Sequence, residues 1–176
     1  MVSGAVVGSD EPVAPWTDVV RVTYDEVHAR LWRAVLAWSG STDVADEAVA
    51  EAFAQLLRRG ADVRDPAAWV WRASFRLAAG DLQRRRAAGG STVTSSDGIA
   101  DLAAAPDWLP DDALDLIRAL AQLSDQQRRC IVLVDGAGHT APSAAAVLDT
   151  TAATVRVQPM RARRRLRTLL TDEVTP

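Results

Sequence analysis

The stretch from Ser124 to Leu170 constrains this chain more than any other. Ser124 followed by Gln127 is the signature of a capping box, in which two side chains satisfy orphan backbone N–H groups reciprocally, and it starts a helix. Gly136 and Gly138 end that helix. Thr140 suits an N-cap, and Pro142 falls in the first turn of the next helix, where its missing N–H costs little. Asp149 and Thr150 make a turn, and Thr151 caps a last helix. Two helices joined by so short a turn have helix-turn-helix spacing, in which the second helix lies in a DNA major groove.

Charge points the same way. From Arg156 to Leu170 there are six arginines (Arg156, Arg161, Arg163, Arg164, Arg165 and Arg167) and no acid. A duplex is a dense line of phosphates, so such a helix gains affinity by releasing condensed counterions. The same arginines would also suit the C-terminal end of a helix macrodipole as a solvated surface. The capped helices ahead of them favour DNA. The formal net charge of −3 conceals this segregation of sign.

Hydrophobic residues make up 48% of the 176, enough for a packed core in one ordinary domain or two small ones. The single cysteine, Cys130, rules out an internal disulfide framework, and its apolar helical neighbours suit a small buried hydrophobe. With only two histidines, a cysteine/histidine metal site is hard to build. His28 reads as structural and His139 as a loop residue. There is no glycine-rich phosphate loop, paired-histidine motif or nucleophile beside a base. The expectation is a protein that is not an enzyme, with no catalytic residue, metal, cofactor or small-molecule substrate. No apolar run approaches a membrane span and no secretion signal is visible, so a soluble cytoplasmic protein without a membrane partner is expected.

Residues 1–22 carry Gly, Pro and Ser without a sustained period and read as a disordered leader. Thr23 and Glu26 form a second capping box, and Val27, Leu31, Val35 and Trp38 recur at helical spacing up to Gly40. Ser41 or Thr42 caps a second helix with Val44, Val49, Phe53, Leu56 and Leu57 as its apolar positions, stopped at Gly60. Asp65-Pro66 starts a third, which runs to Arg86. Trp32, Trp38 and Trp69 suit the core of a three-helix bundle. Trp71, beside two arginines, is set apart as a nucleic-acid contact.

Residues 87–110 read as a linker between two helical domains. From Ala87 to Ile117 there are six aspartates and no basic residue. Self-repulsion would keep such a linker extended, or its charge would mimic a nucleic-acid backbone in a positive channel. Helical periodicity resumes at Leu114, Ile117, Leu120 and Leu123. The expected architecture is all-α: a leader (1–22), a small bundle (23–86), an acidic flexible linker (87–110), a helix-turn-helix domain (111–170) and a short tail (171–176).

This order of parts resembles the extracytoplasmic-function sigma factors, the smallest type of the sigma-70 family, over roughly residues 24–170. Asp43 to Phe53 is similar to their polymerase-binding helix, and Asp65-Pro66-Ala67-Ala68-Trp69-Val70-Trp71-Arg72 to the start of their promoter-melting helix. Ala119 to Ser124 with Gln127-Arg128 is similar to the lead-in to their fourth region. Thr154-Val155-Arg156 and Arg161 to Leu166 match its recognition helix and basic tail. The resemblance implies a region 2-like bundle and a region 4-like helix-turn-helix in a subunit that binds core RNA polymerase and directs promoter-specific initiation. It implies polymerase contacts at Asp43, Asp46, Glu47, Glu51 and Phe53. Like charges at that spacing work against an isolated helix, so a basic partner would explain the carboxylates, although an ordinary acidic solvent face is the alternative. It implies DNA contacts at Trp71, Arg72, Arg76, Arg84, Arg85 and Arg86 on the melted strand, with Trp71 stacking on an unpaired base. In the recognition helix it implies DNA contacts at Thr154, at Arg156 and Gln158 as base readers, and at Arg161, Arg164 and Arg165 on phosphates. An anti-sigma factor is a further implied partner.

The chain departs from the family pattern. Ala50 replaces a usual glutamine and Arg76 a usual asparagine. Gly80 sits inside the melting helix, and Ala141, Pro142 and Ser143 stand where a tyrosine and a glutamate are usual. Pro159 falls well inside the recognition helix, where lost bonding and crowding cost about 3 kcal/mol and call for a kink or a break. These departures define a second expected function: a degenerate sigma-like protein that binds polymerase or an anti-sigma partner without directing initiation.

Overall fold

Helix starts follow the capping residues. The Ser41 hydroxyl accepts the Val44 N–H at 3.4 Å and the Asp65 carboxylate that of Ala68 at 2.9 Å. Ser124 and Gln127 close the full capping box, the hydroxyl accepting the Gln127 N–H at 3.4 Å and the amide oxygen the Ser124 N–H at 3.3 Å. Thr140 accepts from Ser143 at 3.3 Å, and Thr151 from Thr154 at 3.2 Å. The computed structural model describes residues 15–88 and 110–172. In them the helices are α1 (Pro15–Ser39), α2 (Thr42–Arg59), α3 (Pro66–Ala87), α4 (Asp111–Ala121), α5 (Asp125–Ile131), α6 (Ala141–Leu148) and α7 (Ala152–Asp172). No strand interrupts them among the described residues, so the fold is all-α, as expected.

Two expectations about local structure need correcting. The first helix begins at Pro15, so residues 15–22 are not a disordered leader, and Thr23 lies inside the helix instead of capping it. The reason is packing. Trp16 donates its indole N–H to the Leu56 carbonyl at 3.3 Å, Val20 is buried, and the buried Thr23 hydroxyl donates to the Val19 carbonyl at 2.8 Å. These contacts order a segment whose composition alone reads as loop. The second concerns Pro159: of the kink or break expected there, the break does not occur, since α7 is continuous across it. Val155, Pro159 and Ala162 are buried on the face turned toward α5 and α6, so tertiary packing holds the helix together across the missing N–H. Residues 1–14, the acidic stretch 89–109 and the tail 173–176 lie outside the described residues, and with them most of the linker expectation.

α1, α2 and α3 form the N-terminal bundle. Leu31, Val35 and Trp38 of α1 meet Val44, Val49 and Leu56 of α2 and Val70, Trp71 and Phe75 of α3, with Trp38 stacked on Phe75 at 5.2 Å between centroids. α4 to α7 form the second bundle around Ile117, Leu120, Leu133, Val155 and the buried Cys130. Between α5 and α6 the chain makes one wide turn, with the Ala137 N–H reaching the Val132 carbonyl at 2.8 Å. Gly138 then takes a left-handed φ of 71° that a side chain would resist.

The two bundles pack on each other. Their buried residues form one continuous core, with α1 against α4 and α5 and α3 against α6.

Candidate functional site

Three surfaces carry the residues singled out by the sequence. On α2, Asp43, Glu47 and Glu51 recur at helical spacing on an exposed face with Asp46 beside them. Asp46 accepts the Trp32 indole N–H from α1 at 2.7 Å. Glu51 accepts from Gln55 at 2.9 Å and from Arg58 at 2.7 Å, and these bonds lower its pKa, Gln55 first and Arg58 second. The carboxylates are thus partly tied within the bundle, with their charges facing water. Phe53 is different from the expectation. It is buried under Tyr24, with 5.0 Å between ring centroids, and supports the acidic face from behind instead of contacting a partner.

On α3, Arg72, Arg76, Arg84 and Arg86 are exposed and Arg85 is half-buried. Asp81 holds Arg84 at 2.9 Å and Arg85 at 2.6 Å, which leaves Arg72 and Arg76 forming one exposed step of the helix. Trp71 corrects the expectation of a base-stacking side chain. Only 2% of it is exposed, and its ring meets the edge of His139 at 4.4 Å and 78°. One residue along a helix is a rotation of about 100°, so exposing Arg72 turns Trp71 toward the other bundle. The aromatic beside the exposed arginines is Trp69, half-buried, with the Arg59 guanidinium 5.5 Å from its ring centroid. Trp69, Arg59, Arg64 and Arg72 line a small hollow of about 330 Å³.

On α7, Arg156, Arg161, Arg164, Arg165 and Arg167 are exposed, so the arginine tail faces outward and not into its own domain. Arg163 is also exposed but makes two bonds to Asp135, its Nε at 2.7 Å and one terminal nitrogen at 2.5 Å, which raise its pKa. The two other residues expected to contact DNA early in this helix, Thr154 and Gln158, are half-buried and bonded to neighbouring side chains. The Thr154 hydroxyl pairs with that of Thr151 at 2.9 Å, and Gln158 donates to Gln126 of α5 at 3.3 Å. In their place two residues that sequence reasoning missed, Val157 and Met160, stand 39% and 64% exposed among the arginines. The exposed spacing 153, 156, 157, 160, 161, 164 was available as a signal once Pro159 was known to face inward.

The joint between the bundles was also missed. Arg128, 4% exposed, donates to the carbonyls of Trp38 at 3.1 Å, Ala121 at 2.9 Å and Leu123 at 3.3 Å. Those carbonyls sit at the C-terminal ends of α1 and α4, which lack intrahelical donors and carry partial negative charge. Trp38 returns its indole N–H to Asp125 at 2.9 Å, and the Arg129 guanidinium lies 4.4 Å from the Trp38 ring centroid. Burial lowers the Arg128 pKa, Asp125 opposes the shift and Arg86 adds to it. His139 takes part through Trp71 and through Ser143, whose Oγ is 2.8 Å from Nδ1. Its Nε2 is buried with no hydrogen-bond partner among the described residues, and burial, with help from Arg30, pushes its pKa below the ordinary histidine value. Beside this joint, Ala34 and Ala37 of α1, Leu116, Ile117 and Leu120 of α4, and Leu166 of α7 line an apolar cleft of about 700 Å³. Among the described residues no cluster of His, Cys, Asp and Glu is arranged to hold a metal, and no helix is long and apolar enough to cross a membrane.

Residues 113–166, which lie within the second bundle, match the family model for sigma-70, region 4. The chain is similar in fold to CnrH, solved in complex with the cytosolic domain of CnrY. The TM-score is 0.66 and the identity 24%, over 90% of this chain and 91% of that one. It is similar to the sigma factor RpoE of Bartonella quintana, solved with the anti-sigma factor NepR, with a TM-score of 0.64 and 21% identity over 90% and 98% of the two chains. Against the extracytoplasmic-function sigma factor SigJ of Mycobacterium tuberculosis the TM-score is 0.55 and the identity 24%, over 85% of this chain and 52% of that one. No curated protein matches the sequence. The fold is therefore shared with CnrH, with the sigma factor RpoE and with SigJ.

Proposed function

We propose that this chain is a sigma factor that binds core RNA polymerase and directs promoter-specific initiation. The observation that carries the reading is a region 4 helix-turn-helix whose second helix presents Arg156, Arg161, Arg164 and Arg165 to solvent. A helix N-terminal half in the major groove with a basic tail along phosphates is the docking geometry of this motif. The acidic face of α2, with Asp43, Asp46, Glu47 and Glu51, supports a basic polymerase groove as the partner of the first bundle. Arg72 and Arg76 beside the half-buried Trp69 support contact with a melted strand, phosphates on the guanidiniums and a base on the indole. Specificity would come from base contacts and strand trapping, with no covalent step.

The apolar cleft between the bundles supports an anti-sigma protein as a further partner, since a helix with an apolar stripe is its natural occupant. The test is run-off transcription with purified core polymerase. A promoter-dependent transcript that requires the chain is expected. Binding to core without any such transcript would replace this reading by that of a sigma-like binding module.

A further inference from the structure

Along α7 the outward face alternates charge and apolar surface: Arg156 and Val157, then Met160 and Arg161, then Arg164. Met160, at 64% exposed, is the most exposed of the large hydrophobic side chains among the described residues, and Val157 stands one turn before it at 39%. On a helix that faced only water, neither position needs a large apolar group. The polar side chains beside them, Thr154 and Gln158, are half-buried and bonded to Thr151 and Gln126. The exposed chemistry left in the middle of the helix is guanidinium and hydrocarbon.

The major groove offers a match for each. Guanine presents two acceptors to a guanidinium, and thymine presents its C5-methyl group as the one apolar feature of the groove. The arginines on both sides of the apolar pair fix the occupant by charge, because a polyanion drawn onto Arg156, Arg161 and Arg164 brings its groove over Val157 and Met160. We infer that Val157 and Met160 are specificity-determining residues that read thymine methyl groups in the recognition site, so that this region 4 selects sequence by apolar contact flanked by arginine contacts. The inference rests on the proposed function and names how its DNA site is read.

The test uses the holoenzyme, core polymerase with the full chain. Duplexes are selected from a randomised pool, and each selected thymine is then replaced by deoxyuridine, which removes the methyl and leaves every hydrogen-bonding group. Wild type is expected to bind the thymine duplex about fourfold more tightly per contacted methyl, the value for one buried carbon. Val157→Asn/Met160→Gln replaces hydrocarbon by amide at similar side-chain size, sits at exposed positions and is expected to bring the thymine-to-uracil ratio close to one. Arg161→Ala is expected to weaken both duplexes equally and leave the ratio unchanged. A ratio near one in wild type, or an undiminished ratio in the double variant, overturns the inference while sequence selection itself stands. Loss of core binding in the double variant, with the ratio intact, assigns the pair to a protein contact and also overturns it. A holoenzyme that selects no sequence contradicts the proposed function, and the inference falls with it.

Discussion

Replacing Arg128 by methionine is the perturbation that says most about how the two bundles hold together. The guanidinium reaches three carbonyls, at 3.1, 2.9 and 3.3 Å, one of them on α1 and two at the end of α4. Methionine fills a similar volume and cannot donate, so three acceptors at helix C-termini lose their partner. Hydrogen bonds from a charged donor contribute about 1.5–3 kcal/mol each, and the gross loss is several kcal/mol. Against it stands the relief of a buried cation, and removing one partner from a buried, charge-assisted set of hydrogen bonds leaves a net destabilisation of about 3 kcal/mol. For a chain of this size 1 kcal/mol shifts the midpoint by about 2–4 °C, which gives a fall in Tm of about 6–12 °C. Arg128→Lys keeps the charge but not the fork, and is expected to recover less than half of the loss. Urea and thermal unfolding followed by circular dichroism and by tryptophan fluorescence would measure this. Arg118→Met, at an exposed pair with Asp115, is the control and is expected to change stability by less than about 0.5 kcal/mol. An Arg128→Met protein whose stability lies within about 1 kcal/mol of wild type would refute the argument that this side chain joins the bundles.

The lowered pKa of His139 links the joint to pH. The folded form binds this proton more weakly than the unfolded chain, whose histidine has an ordinary value of 6.5, so the stability it contributes is complete above pH 6.5 and is lost as pH falls from there toward the folded value. Titration of Tm between about pH 8 and pH 5 should show this loss, and His139→Gln should flatten it. Asp43→Arg/Glu47→Arg is expected to weaken core polymerase binding at least tenfold in a gel-shift or pull-down titration while leaving the fold intact, since both side chains are exposed. Arg161→Ala/Arg164→Ala/Arg165→Ala should reduce the slope of log affinity against log salt by about 2.7, at about 0.9 for each phosphate no longer neutralised.

Helix boundaries were legible at the polar caps Asp65, Ser124, Thr140 and Thr151, but not at Thr23, whose capping signature lies inside α1. Local chemistry sets those positions, and local sequence reports them. The start of α1 was not legible, because Trp16 and Val20 are ordered by Leu56 and its neighbours some 40 positions away. Trp71 illustrates the same limit at the site. Its arginine neighbours suggest a nucleic-acid contact, yet the burial of a helical residue depends on what packs against its own side, here His139 from the other bundle. Arg128 was visible only as part of a resemblance to the region 4 lead-in, since nothing in its neighbours announces that three distant carbonyls need a donor. The outward arginines of α7 were legible from composition. The bond of Gln158 to α5 and the continuity through Pro159 were not, because both depend on packing against the neighbouring helices.

In the proposed function the carboxylates of α2 and the guanidiniums of α7 serve one act, bringing polymerase to chosen DNA. Sequencing the 5′ ends of transcripts made in vitro from sheared genomic DNA, by core polymerase with and without the chain, puts that act to the test. A set of new start sites is expected that share two upstream sequence elements and that disappear with the Arg161/Arg164/Arg165 triple alanine variant. Start sites that are unchanged by adding the chain, while the chain still binds core polymerase, would contradict it.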